Sequence, residues 1–313
     1  MSKKVIAVTG ATGAQGGGLV RAILADAAGG FTVRAITRDV NSPKAAELRA
    51  LGADVVAGDV DDAASLERAF AGAHGAYAVT FYWAHMSPER ELAQARNLAQ
   101  AAARARVPHV IWSTLEDTRR WIPLDDPRMP TLMGTYKVPH FDAKGEADRF
   151  FTELGVPTTF LLASFYWDNL LSSGPKPGPD GTPTLVLPIG NAKMAGVAAS
   201  DIGRVAYALF AGGAKHIGQR VGAAGELLTG AEMAAKMTRA LGTTVRFQDV
   251  PPEVFRGFGF PGADDLGNMF QFYRDFADVC NATRDVARCR ALVPGMMDFD
   301  AWLARHARSI PLK

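Results

Sequence analysis

The sequence predicts an α/β protein: a doubly wound parallel sheet over the first half of the chain, then a smaller mixed α+β C-terminal lobe. Three observations carry this reading. The apolar run Val5-Ile6-Ala7-Val8 enters a glycine-spaced turn, Thr9-Gly10-Ala11-Thr12-Gly13-Ala14-Gln15-Gly16, and then a helix-like stretch with Leu19, Val20, Ile23 and Leu24. Short apolar runs and helix-like stretches then alternate as far as residue 163. Beyond Ala163 the alternation stops, and residues 174–190 are rich in proline and glycine.

Taken in order, the second strand is Thr32-Val33-Arg34-Ala35-Ile36-Thr37, followed by a helix around 42–51 and a short strand, Asp54-Val55-Val56-Ala57. A helix over 63–70 leads to the strand Ala76-Tyr77-Ala78-Val79-Thr80. Ser87-Pro88 reads as an N-cap with proline at the first helical position, opening a helix to about Arg106. The fifth strand is His109-Val110-Ile111-Trp112-Ser113; a polar loop over 116–135 precedes a helix over 140–154. Thr158-Thr159-Phe160-Leu161-Leu162 takes the sixth β position. Parallel neighbours need crossover connections, so six strands with intervening helices make a Rossmann-type sheet.

Later elements are a loop with a short hairpin or strand at Leu185-Val186-Leu187, a helix over 201–212, a capping box at Thr229-Gly230-Ala231-Glu232, a strand over 244–250 and helices over 264–276 and 298–308. They carry no second phosphate turn. The expected division is a dinucleotide-binding domain over 1–163 and a substrate or partner lobe over 164–313, the lobe being free to exchange segments with the sheet.

Composition narrows the function classes. The chain has 313 residues, 48% of them hydrophobic and 21% charged, the balance of an ordinary globular protein able to bury a large core. A net charge of +2, with Lys and Arg scattered, argues against direct nucleic-acid binding. The two cysteines, Cys280 and Cys289, form no metal-ligand cluster, so no metal site is expected. Only four apolar residues follow Met1-Ser2-Lys3-Lys4, and the longest uncharged stretch, 154–167, is interrupted by Pro157. Neither a leader nor a membrane span is read there, and cytoplasm is the expected compartment.

The glycine turn carries the chemistry. Glycines let the backbone turn sharply and approach a pyrophosphate, whose charge sits among the free N–H groups of a helix N-terminus. Gly10, Ala11, Thr12, Gly13, Ala14, Gln15 and Gly16 would form that cradle. Arg38 ends the second strand, where the adenosine ribose would lie; an acidic residue there favours NAD, whereas a guanidinium suits the 2′-phosphate of NADP(H). Asp39 beside it would oppose that phosphate or accept a ribose hydroxyl, which keeps NAD(H) as the alternative. Asp59 and Val60 follow the third strand and could meet adenine, while Asp61 and Asp62 read better as helix caps. Thr80, Phe81, Tyr82 and Trp83 follow the fourth strand, where they could flank the ribose and nicotinamide or simply pack in the core.

His140 and Lys144 stand four apart and therefore on one helix face. This spacing resembles the Tyr-x-x-x-Lys of short-chain dehydrogenases, in which the lysine binds the nicotinamide ribose and the tyrosine acts as acid. Here a histidine replaces the tyrosine, and Tyr136 lies eight residues before the lysine, outside the required spacing. Ser113 and Thr114 end the fifth strand, where that family's serine sits. His140 is read either as a proton donor or as a histidine that hydrogen-bonds on a helix face and does no chemistry.

Across nearly its whole length the chain resembles the NmrA-like family, atypical short-chain dehydrogenases that include fungal nitrogen-repression regulators and animal NADPH-sensing proteins. The resemblance is carried by residues 8–17, Thr37-Arg38, Gly58-Asp59, Thr80-Phe81-Tyr82-Trp83 and His140-Phe141-Asp142-Ala143-Lys144-Gly145-Glu146. It continues through Tyr166-Trp167-Asp168-Asn169-Leu170-Leu171 and Gly259-Phe260-Pro261-Gly262-Ala263-Asp264-Asp265-Leu266. It implies that the glycine turn, Arg38, Asp59, Thr80, Phe81, Tyr82, Lys144, Tyr166, Trp167, Asp168 and Asn169 line an NADP site. The function expected is that of an NADP(H)-binding, redox-responsive regulator with a protein partner. The alternative is an NADPH-dependent reductase of a quinone or other conjugated small molecule, with His140, a tyrosine or water giving the proton. Phe81, Trp83, Phe165 and Trp167 would then offer the apolar pocket.

Overall fold

The computed structural model describes residues 3–312. The chain divides into two compact units, the first made of residues 1–117, 143–163 and 200–221 and the second of 118–142, 164–199 and 222–313.

The first unit is built on β1 (Lys4–Val8), β2 (Phe31–Thr37), β3 (Asp54–Ala57), β4 (Gly75–Ala78), β5 (Val110–Thr114) and β6 (Thr158–Leu162). Their order in the sheet is β6-β5-β4-β1-β2-β3, and every pair among them is parallel. The central strands are apolar on both faces because both faces are covered: β4, β5 and β6 are buried throughout, whereas the edge strand β3 is not. The helices are α1 (Ala14–Ala25), α2 (Pro43–Ala50), α3 (Ala63–Phe70), α4 (Pro88–Arg104) and α5 (Pro139–Glu153). From α3, α4 and α5, Leu66, Phe70, Leu98, Phe150 and Phe151 join Trp112 of β5 in one buried cluster.

Several boundaries have local causes. The strand expected to reach Thr80 ends at Ala78, because the Val79 N–H donates to the Thr9 hydroxyl (3.0 Å). The fourth helix ends at Arg104, and Arg106 beyond it takes a left-handed φ of 51°. Ser42, Asp62 and Ser87 each cap their helix through the side chain.

Four strands precede the next sheet partner: β7 (Phe165–Tyr166), β8 (Lys176–Pro177), β9 (Pro183–Leu187) and β10 (Met194–Val197), followed by α6 (Ala199–Gly212) and β11 (Arg220–Gly222). β11 hydrogen-bonds beyond β6, giving the sheet a seventh strand that the sequence reading lacks. Most of α6 also belongs to the first unit. It crosses α1 backbone to backbone: a Cβ on Gly203 would lie 2.1 Å from the Leu19 nitrogen, and one on Gly18 would lie 2.7 Å from the Ser200 oxygen. Phe210 of the same helix lies over Gly75 of β4, where a Cβ would come within 2.7 Å of its ring.

The second unit is mixed α+β. Its remaining elements are β12 (Glu226–Leu228), α7 (Gly230–Leu241), β13 (Arg246–Asp249), α8 (Pro252–Arg256), α9 (Ala263–Asp275), α10 (Ala277–Thr283), α11 (Val286–Leu292) and α12 (Phe299–His306). Two three-stranded sheets, β12-β10-β7 and β13-β9-β8, each hold one antiparallel and one parallel pair. Thr229 and Glu232 form the expected capping box. Trp167 anchors the core, its ring 5.2 Å from Phe299, with Gly196 and Gly225 leaving it room. Cys280 and Cys289 are buried free thiols; burial pushes the Cys289 thiol up, and its sulfur donates to the Gly222 carbonyl (3.0 Å). No helix among the described residues is long and apolar enough to cross a membrane.

Candidate functional site

Parallel strands bring the ends of β1 to β5 to one sheet edge, and the order β3-β2-β1-β4-β5-β6 reverses between β1 and β4. Ligands of open α/β sheets bind at such a reversal, outside the carboxyl ends of the strands. Gly10 takes a positive φ of 60° as the chain leaves β1. A Cβ on Gly16 would strike the Gly10 carbonyl oxygen at 2.4 Å, so loop and helix touch through bare backbone. Gly13, at the N-cap of α1, is exposed; its Cβ would meet only the Gly10 oxygen, at 3.2 Å. No side chain caps α1 and no acidic residue lies in its first turn, unlike α4 with Ser87, Glu89 and Glu91. The N-cap side of α1 therefore has the form that helix N-termini offer to anions.

Ala11 is buried and Thr12 half-buried within this turn, while Ala14 is exposed as the first residue of α1. Gln15 has a second task. Its side-chain oxygen accepts from the Ser113 hydroxyl (2.8 Å) and from the Tyr77 hydroxyl, tying α1 to the ends of β5 and β4.

Arg38 is exposed directly after β2 and makes no hydrogen bond or ion pair among the described residues. The Asp39 carboxylate accepts the Asn41 N–H (2.8 Å), and the Asp39 carbonyl accepts the Ser42 hydroxyl (3.0 Å). After β3, Asp59 accepts the Asp61 N–H (3.0 Å), and the Val60 carbonyl accepts from Asn97 (2.9 Å). Asp62 caps α3, as expected, but Asp61 pairs with Arg90 (2.6 Å) and Gln94 (2.9 Å) of α4. The hydrogen bond from Arg90 holds the Asp61 carboxyl below its ordinary range.

The ends of β4 and β5 meet α5 at Lys144. Its ammonium donates to the Thr80 hydroxyl (2.6 Å), lies 2.6 Å from a carboxylate oxygen of Glu91 and stands 5.2 Å from the Trp112 ring centre. The Thr80 hydroxyl in turn donates to the same Glu91 oxygen. Glu91 is fully buried in the first turn of α4. Its other oxygen faces His85 Nε2 at 3.6 Å. The sequence reading brings Thr80 and Lys144 to one site and passes over Glu91 and His85; for Glu91 the signal is the acidic first turn of α4. Phe81 is 67% exposed, able to cover a ligand, whereas Tyr82 is buried against Trp83 and His85.

Thr114 is committed to structure. Its hydroxyl donates to Asp148 (2.6 Å), which also accepts from Trp112 (3.0 Å) and Arg220 (2.5 Å). Burial pushes the Asp148 carboxyl up against the pull of Arg220.

Within the second unit, His140 opens α5 and is tied to Asp265 of α9. Its Nδ1 lies 2.6 Å from one carboxylate oxygen, and its backbone N–H donates to the other (3.2 Å). A carboxylate only accepts, so Nδ1 carries the hydrogen and a neutral ring has its lone pair on Nε2. Asp142, two residues on, accepts from Thr118 (hydroxyl 2.6 Å, N–H 2.8 Å), Lys137 N–H (2.7 Å) and Val138 N–H (3.0 Å). Burial raises its pKa despite these donors. Of the segment after β6, Tyr166 is half-buried and Asn169 exposed, and the Asp168 carboxylate accepts the first N–H of α6 (2.8 Å). The Trp167 indole, at 1% exposure, is spent in the core of its unit and has no face left for a ligand.

The family model of the NmrA-like family matches residues 2–303. The chain belongs to the NmrA-like family. Among its relatives, an NmrA-like family domain-containing oxidoreductase of Aspergillus flavus is 25% identical, over 92% of this chain and 90% of that protein. The nitrogen metabolite repression protein of Emericella nidulans is 30% identical over 80% of this chain and 69% of its own length. A solved structure of Nmra, a negative transcriptional regulator, in complex with NAD is 25% identical and covers 98% of this chain and 95% of its own, with a TM-score of 0.77. The family thus contains both regulators and oxidoreductases, and its Rossmann-type architecture is the one described above.

Proposed function

We propose that this NmrA-like chain binds NADP(H) on the first unit and acts as a cytoplasmic, redox-responsive regulator through a protein partner. The observation that carries the cofactor reading is the uncapped N-terminus of α1 at the exposed Gly13. The helices α2, α3 and α4, which follow β2, β3 and β4, are closed by Ser42, Asp62 and Ser87. The unpaired Arg38 supports the 2′-phosphate, by charge-assisted hydrogen bonds that a ribose hydroxyl could not match. Lys144 would hold the nicotinamide-side ribose. When bound, the cofactor supplies a hydride; the chain's residues bind and orient it.

Regulation is supported by the contact of Lys144 with Thr80, which joins a cofactor-binding lysine to the segment 80–88. That segment contains Met86 at a positive φ of 53°, a costly conformation for a residue with a side chain. A ligand shifts a conformational balance only as far as it binds the two states unequally. NADPH and NADP+ must therefore leave 80–88 or 166–181 in different states. Hydrogen exchange with each cofactor tests this: equal protection of both segments by the two redox forms refutes a redox-responsive regulator.

A second reading, an NADPH-dependent reductase of a quinone or similar conjugated molecule, is favoured by one observation, the His140–Asp265 pair. The carboxylate fixes the ring one turn before Lys144, where short-chain dehydrogenases carry their acid. Single-turnover oxidation of NADPH with a quinone separates the two. A reaction that falls by roughly 10²–10⁴-fold in His140→Ala favours the enzyme, and the absence of reaction in the wild type favours the regulator.

A further inference from the structure

The cluster around Lys144 holds more than a cofactor lysine needs. Glu91 is 0% exposed, and a carboxylate so buried is costly unless paired. It is paired on one side only. One oxygen meets Lys144 and Thr80, and the other has no hydrogen-bond partner among the described residues. That second oxygen faces His85, whose Nδ1 accepts the Ser87 N–H (3.1 Å). The neutral ring's hydrogen is therefore on Nε2, pointing at Glu91 from 3.6 Å.

An ammonium has three hydrogens in tetrahedral array. Glu91 and the Thr80 hydroxyl, both at 2.6 Å, take two directions, and the Thr80 carbonyl at 3.4 Å is a weak third partner. A sugar hydroxyl would compete with that carbonyl alone. Thr80 links the two: its hydroxyl accepts from Lys144 and directs its own hydrogen to Glu91, which sets the rotor that the ammonium meets.

We propose that Glu91 is a positioning residue: it orients the Lys144 ammonium, directly and through the Thr80 hydroxyl, so that one hydrogen is presented to a dinucleotide ribose. The inference rests on the cofactor reading above. Its test needs two readouts, one of them free of cofactor.

In the 15N-labelled full-length chain without ligand, a held ammonium exchanges slowly with water and gives its own 1H–15N signal, assigned by its loss in Lys144→Met. That signal should be present in the wild type and abolished in Glu91→Ala. Glu91→Gln, which keeps an acceptor and is the milder change where Ala fails to fold, should broaden it. In calorimetry with NADPH, Glu91→Gln should weaken binding about tenfold or more, the effect of a hydrogen bond between charged groups. The same change in a Lys144→Met background should cost nothing further. Additive losses would mean that Glu91 acts by shaping the fold and would overturn the proposal. So would an ammonium signal unchanged by either Glu91 variant. A wild type that holds its signal as described and binds no dinucleotide would overturn the cofactor reading and leave Glu91's hold on Lys144 standing.

Discussion

Gly13 and Gly16 stand three residues apart, and the structure separates their roles. Gly13 has φ −94° and ψ −176°, a conformation open to any residue, and its Cβ would approach only the Gly10 oxygen, at 3.2 Å. Valine there should cost about 1 kcal/mol, since branched residues are poor N-caps, which lowers the melting temperature by a few degrees. Binding should suffer far more. The side chain would stand over the first amides of α1, and losing even two hydrogen bonds to a charged phosphate forfeits at least about 3 kcal/mol, a hundredfold or more in affinity. Gly16→Ala should behave in the opposite sense. Its methyl would lie 2.4 Å from the Gly10 oxygen and 2.7 Å from the Gly10 carbonyl carbon, both backbone atoms that cannot step aside. Overpacking of this kind costs about 1–3 kcal/mol or more, so its thermal transition should fall further than that of Gly13→Val. Differential scanning calorimetry and titration with NADPH measure the two effects. A folded Gly13→Val that binds NADPH with wild-type affinity refutes the phosphate cradle.

Arg38→Ala should weaken NADPH by about 1.5–3 kcal/mol and leave NADH nearly untouched, because only NADPH carries the 2′-phosphate; equal losses in calorimetric titrations of the two would remove the assignment. Gly203→Ala should lower the melting temperature despite alanine's better helix propensity, since its methyl would lie 2.1 Å from the Leu19 nitrogen; an unchanged transition would deny the close crossing of α1 and α6. Burial holds His109 down to about 4, from an ordinary 6.5. The unfolded chain therefore takes up this proton first, so the stability His109 contributes is complete above about pH 6.5 and is lost as the pH falls towards 4. His109→Gln should flatten the fall in melting temperature over that window, and an identical slope in the two proteins would show that the histidine is not buried neutral.

What could be read from the sequence follows from how each feature is specified. β3 and β6 match their expected bounds residue for residue, because a short apolar run between turn residues can do little else. Caps are equally local: Ser42, Ser87 and the Thr229–Glu232 box all act through atoms three residues apart or fewer. Contacts between distant segments leave no such trace. β11, three residues long, gains its place from hydrogen bonds to β6 about sixty positions earlier, as where the Phe160 N–H meets the Gln219 carbonyl (2.9 Å). Gly203 looks like a weakness in a helix until the backbone of α1 is seen against it. The site divides in the same way. The glycine turn and Lys144 are visible because spacing alone defines them. Glu91 looks like a favourable charge in the first turn of a helix, and becomes part of the site only through Lys144, more than fifty residues on. Asp265, which in the sequence is one of two adjacent aspartates in a family segment, holds His140 from 125 residues away. Both missed carboxylates are buried against a cationic or proton-bearing group on α5. A buried carboxylate needs such a partner, so charged residues at the otherwise apolar positions of α4 and α9 were the signal available, and pairing each with an unexplained basic residue was the step that only three dimensions could supply.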